Sequence, residues 1–263
     1  MSASAIERRL FLRSLDFGHV AALSLAADGA APDEIVFSAA KEQTVVVGSD
    51  VVSFTQPIEA EFREAISDSA LVAQLAANAK FDPKLDPIAW FDTYFAVLGG
   101  LGWTTQVRDT ADYTIKSDGL QVHQAITDVI AAFLAPIAGA AALIKLTLDS
   151  LHAMDKDSPW ITLFNRESQH GKVGRFQFTL IRRSTDDAKS LLADAMCFAI
   201  EADKVITQIL FFKLSKKKVR LRRSLGTVSI GNDALLDMRP MLRQKVKDYR
   251  ASFLLDLPLK AGV

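Results

Sequence analysis

An excess of charge of either sign is missing from this chain. Lysine and arginine together number 31 and aspartate and glutamate also number 31, so the formal net charge is zero. A neutral protein has no global attraction for nucleic acid or for an anionic membrane, although local patches can still bind. We therefore expect no nucleic-acid partner. Apolar residues make up 49% of the chain and charged residues 24%, a composition typical of a globular protein.

Residue patterns that mark catalytic or metal-binding sites are also missing. Cys197 is the only cysteine, so no internal disulfide can form. No G-x-S-x-G nucleophile elbow occurs, and no glycine-rich phosphate loop follows a predicted strand. No two histidines stand at a spacing typical of metal ligands; the four are His19, His123, His152 and His170. We therefore expect no metal site and no cofactor, and an enzyme function lacks positive support.

No apolar run is long enough to cross a membrane. Residues 129–144 are uncharged, but Pro136 and Gly139 break this stretch, and a spanning helix needs roughly 20 apolar residues. Because these residues are apolar nearly all round, we predict two helices, or one kinked helix, buried on all sides in the middle of the protein.

The N-terminus does not match a secretory signal. Arg13, Asp16 and His19 interrupt what would be its apolar region. We expect synthesis in the cytoplasm without a signal peptide, followed by membrane association or by release through another route.

Local patterns predict helices in the first half of the chain. Asp86 and Pro87 are typical of a helix start, and Gly99 and Gly100 would end that helix. The other predicted elements are a short helix at residues 4–15, a small β-hairpin at 44–54 with its turn at 48–50, a helix from 58 to 76, and a strand or loop at 103–115.

The second half is predicted to be mainly β. Phe176, Phe178 and Leu180 alternate with polar residues, which is the period of a half-buried strand. A bulge near Gly226 would explain a change of apolar parity, and Pro240 should kink or divide a last helix capped by Asn232 or Asp233. The further predicted strands are 195–202, 205–214 and 219–230.

These elements predict an α+β fold, with an antiparallel sheet from the C-terminal half packed against helices that include the central pair. We expect one intertwined domain over residues 1–263. The alternative division is a mainly helical part with the small hairpin, residues 1–156, and a part with the sheet and the C-terminal helix, residues 157–263.

The strongest local charge is a basic stretch that we place at the tip and outgoing strand of a 205–230 hairpin. One interpretation is a solvated strand edge, where charge prevents pairing with other chains. The other is contact with acidic lipid headgroups or another acidic surface, worth about 1 kcal/mol per residue. The candidate contact residues are Lys216, Lys217, Lys218, Arg220 and Arg222, flanked by Lys213 and Arg223.

Cys197 lies in an apolar segment predicted to be a strand. Alternation places Ala195, Ala199 and Glu201 on its face, and Met196, Phe198 and Ile200 on the other. The thiol is either a small buried hydrophobe or a group facing an apolar cavity that carries an acyl chain as a thioester.

The chain's size, its mixture of helix and sheet, and a cysteine in an apolar late strand resemble the Erwinia virulence factor family. That resemblance implies a bacterial virulence or toxin-like protein with a fatty acyl chain, such as palmitate, on a cysteine inside a hydrophobic cavity, here Cys197.

Three function classes stay open. The first is a non-enzymatic lipid-associated or membrane-active protein whose partner is membrane lipid or a fatty acid. The second is an acyl-transfer or thioester enzyme with Cys197 as nucleophile, which needs a histidine beside the thiol. The third is an assembly or scaffold subunit without a ligand. The oligomeric state cannot be predicted from these residues.

Overall fold

A computed structural model describes residues 3–18, 35–55, 57–81 and 86–258; His19, used above to judge the N-terminus, lies outside them. The described chain forms the helices Ala5–Ser14 (α1), Ala60–Lys80 (α2), Pro87–Gly100 (α3), Val122–Leu134 (α4), Ala140–His152 (α5), Pro159–Ser168 (α6), Asn232–Val246 (α7) and Arg250–Phe253 (α8). Its strands are Gln43–Val47 (β1), Asp50–Phe54 (β2), Thr104–Tyr113 (β3), Gln169–His170 (β4), Val173–Arg183 (β5), Ser190–Ala202 (β6), Val219–Gly231 (β7) and Leu254–Leu257 (β8).

One mixed sheet joins these strands in the order β3-β7-β6-β5-β2-β1-β8, with β4 paired to β5. All neighbours are antiparallel except β2 and β5, which are parallel. The predicted α+β class is confirmed. The alternative division at residue 156 would separate β1 from β8, β2 from β5 and β3 from β7.

Helices cover both faces of the sheet. We call the side with α1, α2, α3 and α7 the α2 face, and the side with α4, α5 and α6 the α4 face. Strand β5 is therefore buried on both sides and not half-buried as predicted. Its aromatic residues point to the α4 face, while the polar side chains of Arg175, Gln177 and Thr179 are buried on the α2 face.

Several locally determined features are confirmed. The hairpin at 44–54 turns at Gly48, where a φ of +56° suits glycine. Helix α3 begins as predicted, because the Asp86 side chain accepts hydrogen bonds from the backbone N–H groups of Ile88 and Ala89, and it ends at Gly100. Helix α7 follows Gly231 as N-cap, in place of Asn232 or Asp233, and continues through Pro240 without dividing.

Three predicted features of the second half are wrong. Residues 205–214 form turns, not a strand, and residues 159–168, assigned to the β region, form helix α6. The predicted bulge at Gly226 is absent from the β6–β7 pair, whose register is unbroken along both strands; the irregularity lies in β3 between Thr105 and Val107. Apolar parity changes because Val228 faces the α2 face whereas the earlier apolar residues of β7 face the α4 face.

Candidate functional site

Helices α4 and α5 form a hairpin on the outside of the sheet, not a pair buried in the middle of the protein. Its uncharged part, residues 129–144, is here called the hairpin tip. One side packs on the α4 face through Ile130, Leu134, Leu143 and Ile144. The opposite side is exposed and made of small residues, which are Ala131, Ala132, Ala135, Pro136, Ala138, Gly139 and Ala142. The prediction of burial on all sides is therefore wrong, since alanine allows an apolar helix to face water.

Charged residues begin immediately outside the hairpin tip. Asp128 in α4 is paired with Lys116 at 2.7 Å, and Lys145 in α5 is paired with Asp149 at 2.5 Å. All four side chains are exposed, so these pairs contribute little to stability. Their position leaves the tip as a continuous uncharged surface with an ionic collar at the middle of each helix.

The hairpin is attached to the sheet mainly by aliphatic packing. Its described polar contact with the sheet is the Thr147 hydroxyl, which lies 3.2 Å from that of Thr44 and 3.3 Å from that of Ser53. Helices α4 and α5 bury no charged side chain. On the other side of the sheet, by contrast, α2 buries Arg63 and Asp68. Moving α4 and α5 away from the sheet would therefore break few polar contacts, whereas moving α2 would unpair buried charges.

The basic residues lie at the other end of α4. Residues 216–218, here called the basic turn, precede β7, and the Asp118 side chain accepts a 2.7 Å hydrogen bond from the Lys216 backbone N–H just before α4 begins. Because α4 has 13 residues, the basic turn lies roughly 20 Å from the loop between α4 and α5, at the far end of the hairpin tip. The two candidate membrane contacts are thus separated along the hairpin.

Most of the basic stretch is neutralised by carboxylates. Strand β3 pairs with β7, so β7 is not the sheet edge that its lysines and arginines were expected to protect. Lys216 and Lys217 have no ion pair within the described chain. The ion pairs of the stretch are Lys218–Asp203, Arg220–Asp112, Arg222–Glu201 and Arg223–Asp109. Both residues of the first two pairs line a cleft of about 830 Å³.

Cys197 points to the α2 face, and its neighbours Met196 and Phe198 point to the α4 face, as alternation predicts. Its side chain is fully buried, and the thiol contacts the Gln177 side-chain oxygen at 3.6 Å. Burial and the nearby Asp50 carboxylate raise the pKa of the thiol well above its ordinary value. A protonated thiol beside an amide is a poor nucleophile, so the geometry does not favour the thioester enzyme.

A small cavity on the Cys197 side of the sheet offers little room for an acyl chain. It has a volume of about 20 Å³, is lined by Asp50, Tyr94 and Ala193 among others, and does not include Cys197. A cavity volume of about 10–15 Å³ is enough for one water, so this cavity holds roughly one. An acyl chain on Cys197 therefore remains a prediction, which the intact mass of the chain would test.

A row of polar side chains crosses the sheet at the level of Cys197. The register aligns Asp50 of β2 with Gln177 of β5, Cys197 of β6 and Ser224 of β7. The buried Asp50 carboxylate accepts hydrogen bonds from Gln177 Nε2 at 2.5 Å and from the Thr179 hydroxyl at 3.0 Å. Burial raises the pKa of Asp50 to about 7, although both hydrogen bonds oppose the shift. Sequence reasoning missed this row because its members lie on four separate strands.

We expect Asp50 to make the protein less stable as pH rises from about 4 to about 7. The folded state keeps a proton that the unfolded state releases near pH 4, so the contribution is complete below that pH and is lost as pH rises through the folded pKa. Asp50→Asn, which mimics the protonated carboxyl, should have a higher free energy of unfolding than the unmutated protein at pH 8, by a few kcal/mol, since each pKa unit corresponds to about 1.4 kcal/mol.

Urea unfolding of both proteins between pH 4.5 and 8.5 measures this difference. The difference between them isolates Asp50 from Asp68, whose pKa burial also raises, to about 6. A constant difference across the range would show that Asp50 does not titrate in the folded state.

The chain is weakly similar in structure to several solved proteins. A scan against protein-family models gives no match, and neither does a search of curated proteins. The solved structures that are weakly similar include the following three. A delta-endotoxin has 13% identity and a TM-score of 0.42, with 78% of this chain and 89% of that chain covered. The activated Cyt2Ba monomer from Bacillus thuringiensis subsp. israelensis has 15% identity and a TM-score of 0.38, covering 67% and 95%.

The third is the Evf virulence factor, with 10% identity, a TM-score of 0.31 and coverage of 93% of this chain and 88% of that chain. The expected resemblance to the Erwinia virulence factor family is therefore present only as weak structural similarity, without a match in sequence. At such low identities and TM-scores these likenesses transfer neither a function nor a residue's role. Any function must be argued from the residues of this chain.

Proposed function

We propose that this is a membrane-active, toxin-like protein whose α4–α5 hairpin enters a lipid bilayer. The observation that supports it best is the difference between the two helical layers. The hairpin tip is uncharged, exposes apolar atoms on its outer side and packs on the sheet through aliphatic side chains. Lipid tails are as apolar as leucine, so moving this surface from the sheet to the bilayer changes little in how well its aliphatic side chains are shielded from water.

The layer on the α2 face is unsuited to the same role. Moving α2 from the sheet would carry Arg63 and Asp68 out of their buried partnerships and leave Asp50 and Arg175 of the sheet without cover. Unpaired charges in an apolar environment are expensive. The sheet with α1, α2, α3 and α7 would therefore remain folded while the hairpin moves.

The expected depth is shallow. Each hairpin helix has 13 residues and is roughly 20 Å long, against about 30 Å for the hydrocarbon core. Among the helices within residues 3–18, 35–55, 57–81 and 86–258, none is long and apolar enough to cross a membrane. We infer that the tip enters one leaflet first, with the partly buried Phe133 and Ile137 beside the exposed alanines, and that several copies would be needed to open a leak.

Charge introduced at the tip tests this proposal. Ala135→Glu with Ala138→Glu should slow the release of dye from neutral phosphatidylcholine vesicles by at least about tenfold, because a charged side chain in the bilayer costs a few kcal/mol. Both alanines are exposed, so the folded protein should keep its stability. The matched control is Ala188→Glu in the exposed turn between β5 and β6, which should release dye at the unmutated rate.

Substitutions in the basic turn test whether that turn, and not the hairpin tip, makes the membrane contact. Lys216→Gln with Lys217→Gln should reduce binding to anionic vesicles at low salt but leave dye release from neutral vesicles unchanged. If this variant loses release while the tip variant does not, the basic turn and not the hairpin is the membrane contact. If the unmutated protein releases no dye from any vesicle, the scaffold alternative replaces the proposal.

A further inference from the structure

Two histidines meet where the hairpin joins the rest of the protein. His123 is in the first turn of α4 and His152 is the last residue of α5, and their ring centroids are 4.2 Å apart. Phe211, from the connection between β6 and β7, lies against both rings, at 6.4 Å and 5.2 Å. We call this cluster the hairpin base. It joins both ends of the hairpin to the segment that leads to the basic turn.

The hydrogen bonds at the base assign the titrating atom. The backbone N–H of His123 donates to the Leu210 carbonyl at 3.1 Å, and the Nδ1 of its ring lies 3.2 Å from the same oxygen. A carbonyl can only accept, so Nδ1 carries a hydrogen in both protonation states. The second proton therefore enters at Nε2 of His123. When both rings are protonated, two positive charges about 4 Å apart repel each other.

Few other charges face the pair. From α5 the nearest is Asp149, whose carboxylate accepts a hydrogen bond from Lys145. The connection contributes the backbone of Leu210 and the ring of Phe211, with Lys213 further along. Burial lowers the pKa of His123 and the charge of His152 lowers it further, while the hydrogen bond to Leu210 and the charge of Asp149 oppose the shift. Exposed charged residues also follow α5, at Asp155, Lys156 and Asp157.

We propose that the hairpin base is an acid-sensitive latch that holds α4 and α5 on the sheet at neutral pH and loosens when both histidines are protonated. This proposal rests on the proposed membrane function of the hairpin. The direction follows from the site. The closed base lowers the pKa of His123, so it binds fewer protons than an open base in which that ring is free of burial and of the neighbouring ring. The stability of the closed base is complete above the ordinary histidine pKa of about 6.5 and is lost as the pH falls below it.

Hydrogen exchange of the full chain without membranes tests the latch separately from the function. After correction for the intrinsic exchange rate, protection of residues 122–152 should fall about fivefold between pH 7.5 and 5.5, the effect of two unit charges about 4 Å apart in a water-like medium. His152→Gln should abolish the fall. His170→Gln, at a histidine on β4, should keep it, and His152→Lys should lower protection at both pH values.

Dye release at the same two pH values provides the second readout. An acid-dependent loss of protection without any dye release would leave the latch intact and contradict the membrane function. Dye release that does not depend on His152, together with an unchanged fall in protection in His152→Gln, would overturn the latch. No fall in protection in the unmutated protein would overturn it as well.

Discussion

Trp90→Ala should lower the free energy of unfolding by about 3–5 kcal/mol, the range for a large aromatic removed from a packed core. The Trp90 side chain is fully buried, stacks on Tyr94 at 5.6 Å and meets the edge of Phe91 at 5.3 Å. Its indole N–H donates to Asn78 Oδ1 at 2.8 Å. The substitution would leave a cavity in the layer on the α2 face and remove one of the two hydrogen bonds that Asn78 Oδ1 accepts.

The buried charge of Arg175 increases the expected loss. The Arg175 guanidinium lies 3.8 Å from the centre of the Trp90 ring, donates to Asn78 Oδ1 at 2.6 Å and is fully buried. Burial lowers the pKa of Arg175 to about 9. The cation–π interaction with the Trp90 ring offsets a substantial part of the hydration that the guanidinium loses on burial. Removing Trp90 therefore also leaves the buried charge of Arg175 without this interaction, which lowers the free energy of unfolding further.

Trp160→Ala is the matched control for urea unfolding. Trp160 is only partly buried on the α4 face, and its indole N–H donates to the Asp256 carbonyl at 2.6 Å. We expect a loss of about 1 kcal/mol, typical of substitutions outside the tightly packed core. Equal losses for Trp90 and Trp160 would contradict the view that the α2 face carries the rigid layer and the α4 face the looser one.

Features set by neighbouring residues could be predicted from the sequence. The cap of α3 by Asp86, the turn at Gly48 and the alternation around Cys197 each depend on contacts within a few residues. Sequence patterns encode such contacts directly, because backbone hydrogen bonds and side-chain period are local properties. The predicted helices and strands, taken together, were enough to predict the α+β class.

Features set by distant partners could not be predicted. Strand β2 pairs in parallel with β5, more than 100 residues later, and β8 adds to β1 from the end of the described chain. The carboxylates that neutralise the arginines of β7 come from β3 and β6, so a basic run in sequence is not a basic surface in space. The buried polar row at Asp50 has the same origin.

The hairpin combines both cases. Pro136 and Gly139 correctly indicated a break between two helices, and Gly139 has a φ of +76° there. The apolar composition then led to the wrong expectation of complete burial. Alanine and glycine count as apolar in sequence, yet they expose little area each and are tolerated at a surface. Burial depends on what packs against a helix, and in this protein only one side of the hairpin meets the sheet.

A disulfide between the hairpin and the sheet should abolish membrane permeabilisation while leaving the fold intact. The hydroxyl oxygens of Ser53 in β2 and Thr147 in α5 lie 3.3 Å apart. This contact would be broken if the hairpin left the sheet. Because the γ atoms of the two side chains are in contact, this pair is the natural position for a disulfide, which needs Cβ atoms about 3.5–4.5 Å apart. Because Cys197 is the only native thiol, Cys197→Ala provides a background in which Ser53→Cys and Thr147→Cys can pair only with each other.

The crosslink should raise stability by about 2–4 kcal/mol, so loss of activity in the oxidised protein could not be attributed to unfolding. Cys197→Ala alone is the control for the background, and thiol titration verifies that the bond has formed. The same sample after reduction is the matched control for the two new substitutions. Only the freedom of the hairpin to leave the sheet differs between the oxidised and reduced samples.

Dye release from phosphatidylcholine vesicles by the oxidised and reduced forms of the Ser53→Cys, Thr147→Cys, Cys197→Ala protein tests the central claim most directly. We predict that the oxidised form releases dye no faster than vesicles without protein, and that reduction restores the rate of the Cys197→Ala control. Equal release by the oxidised and reduced forms would show that the hairpin does not leave the sheet in order to act.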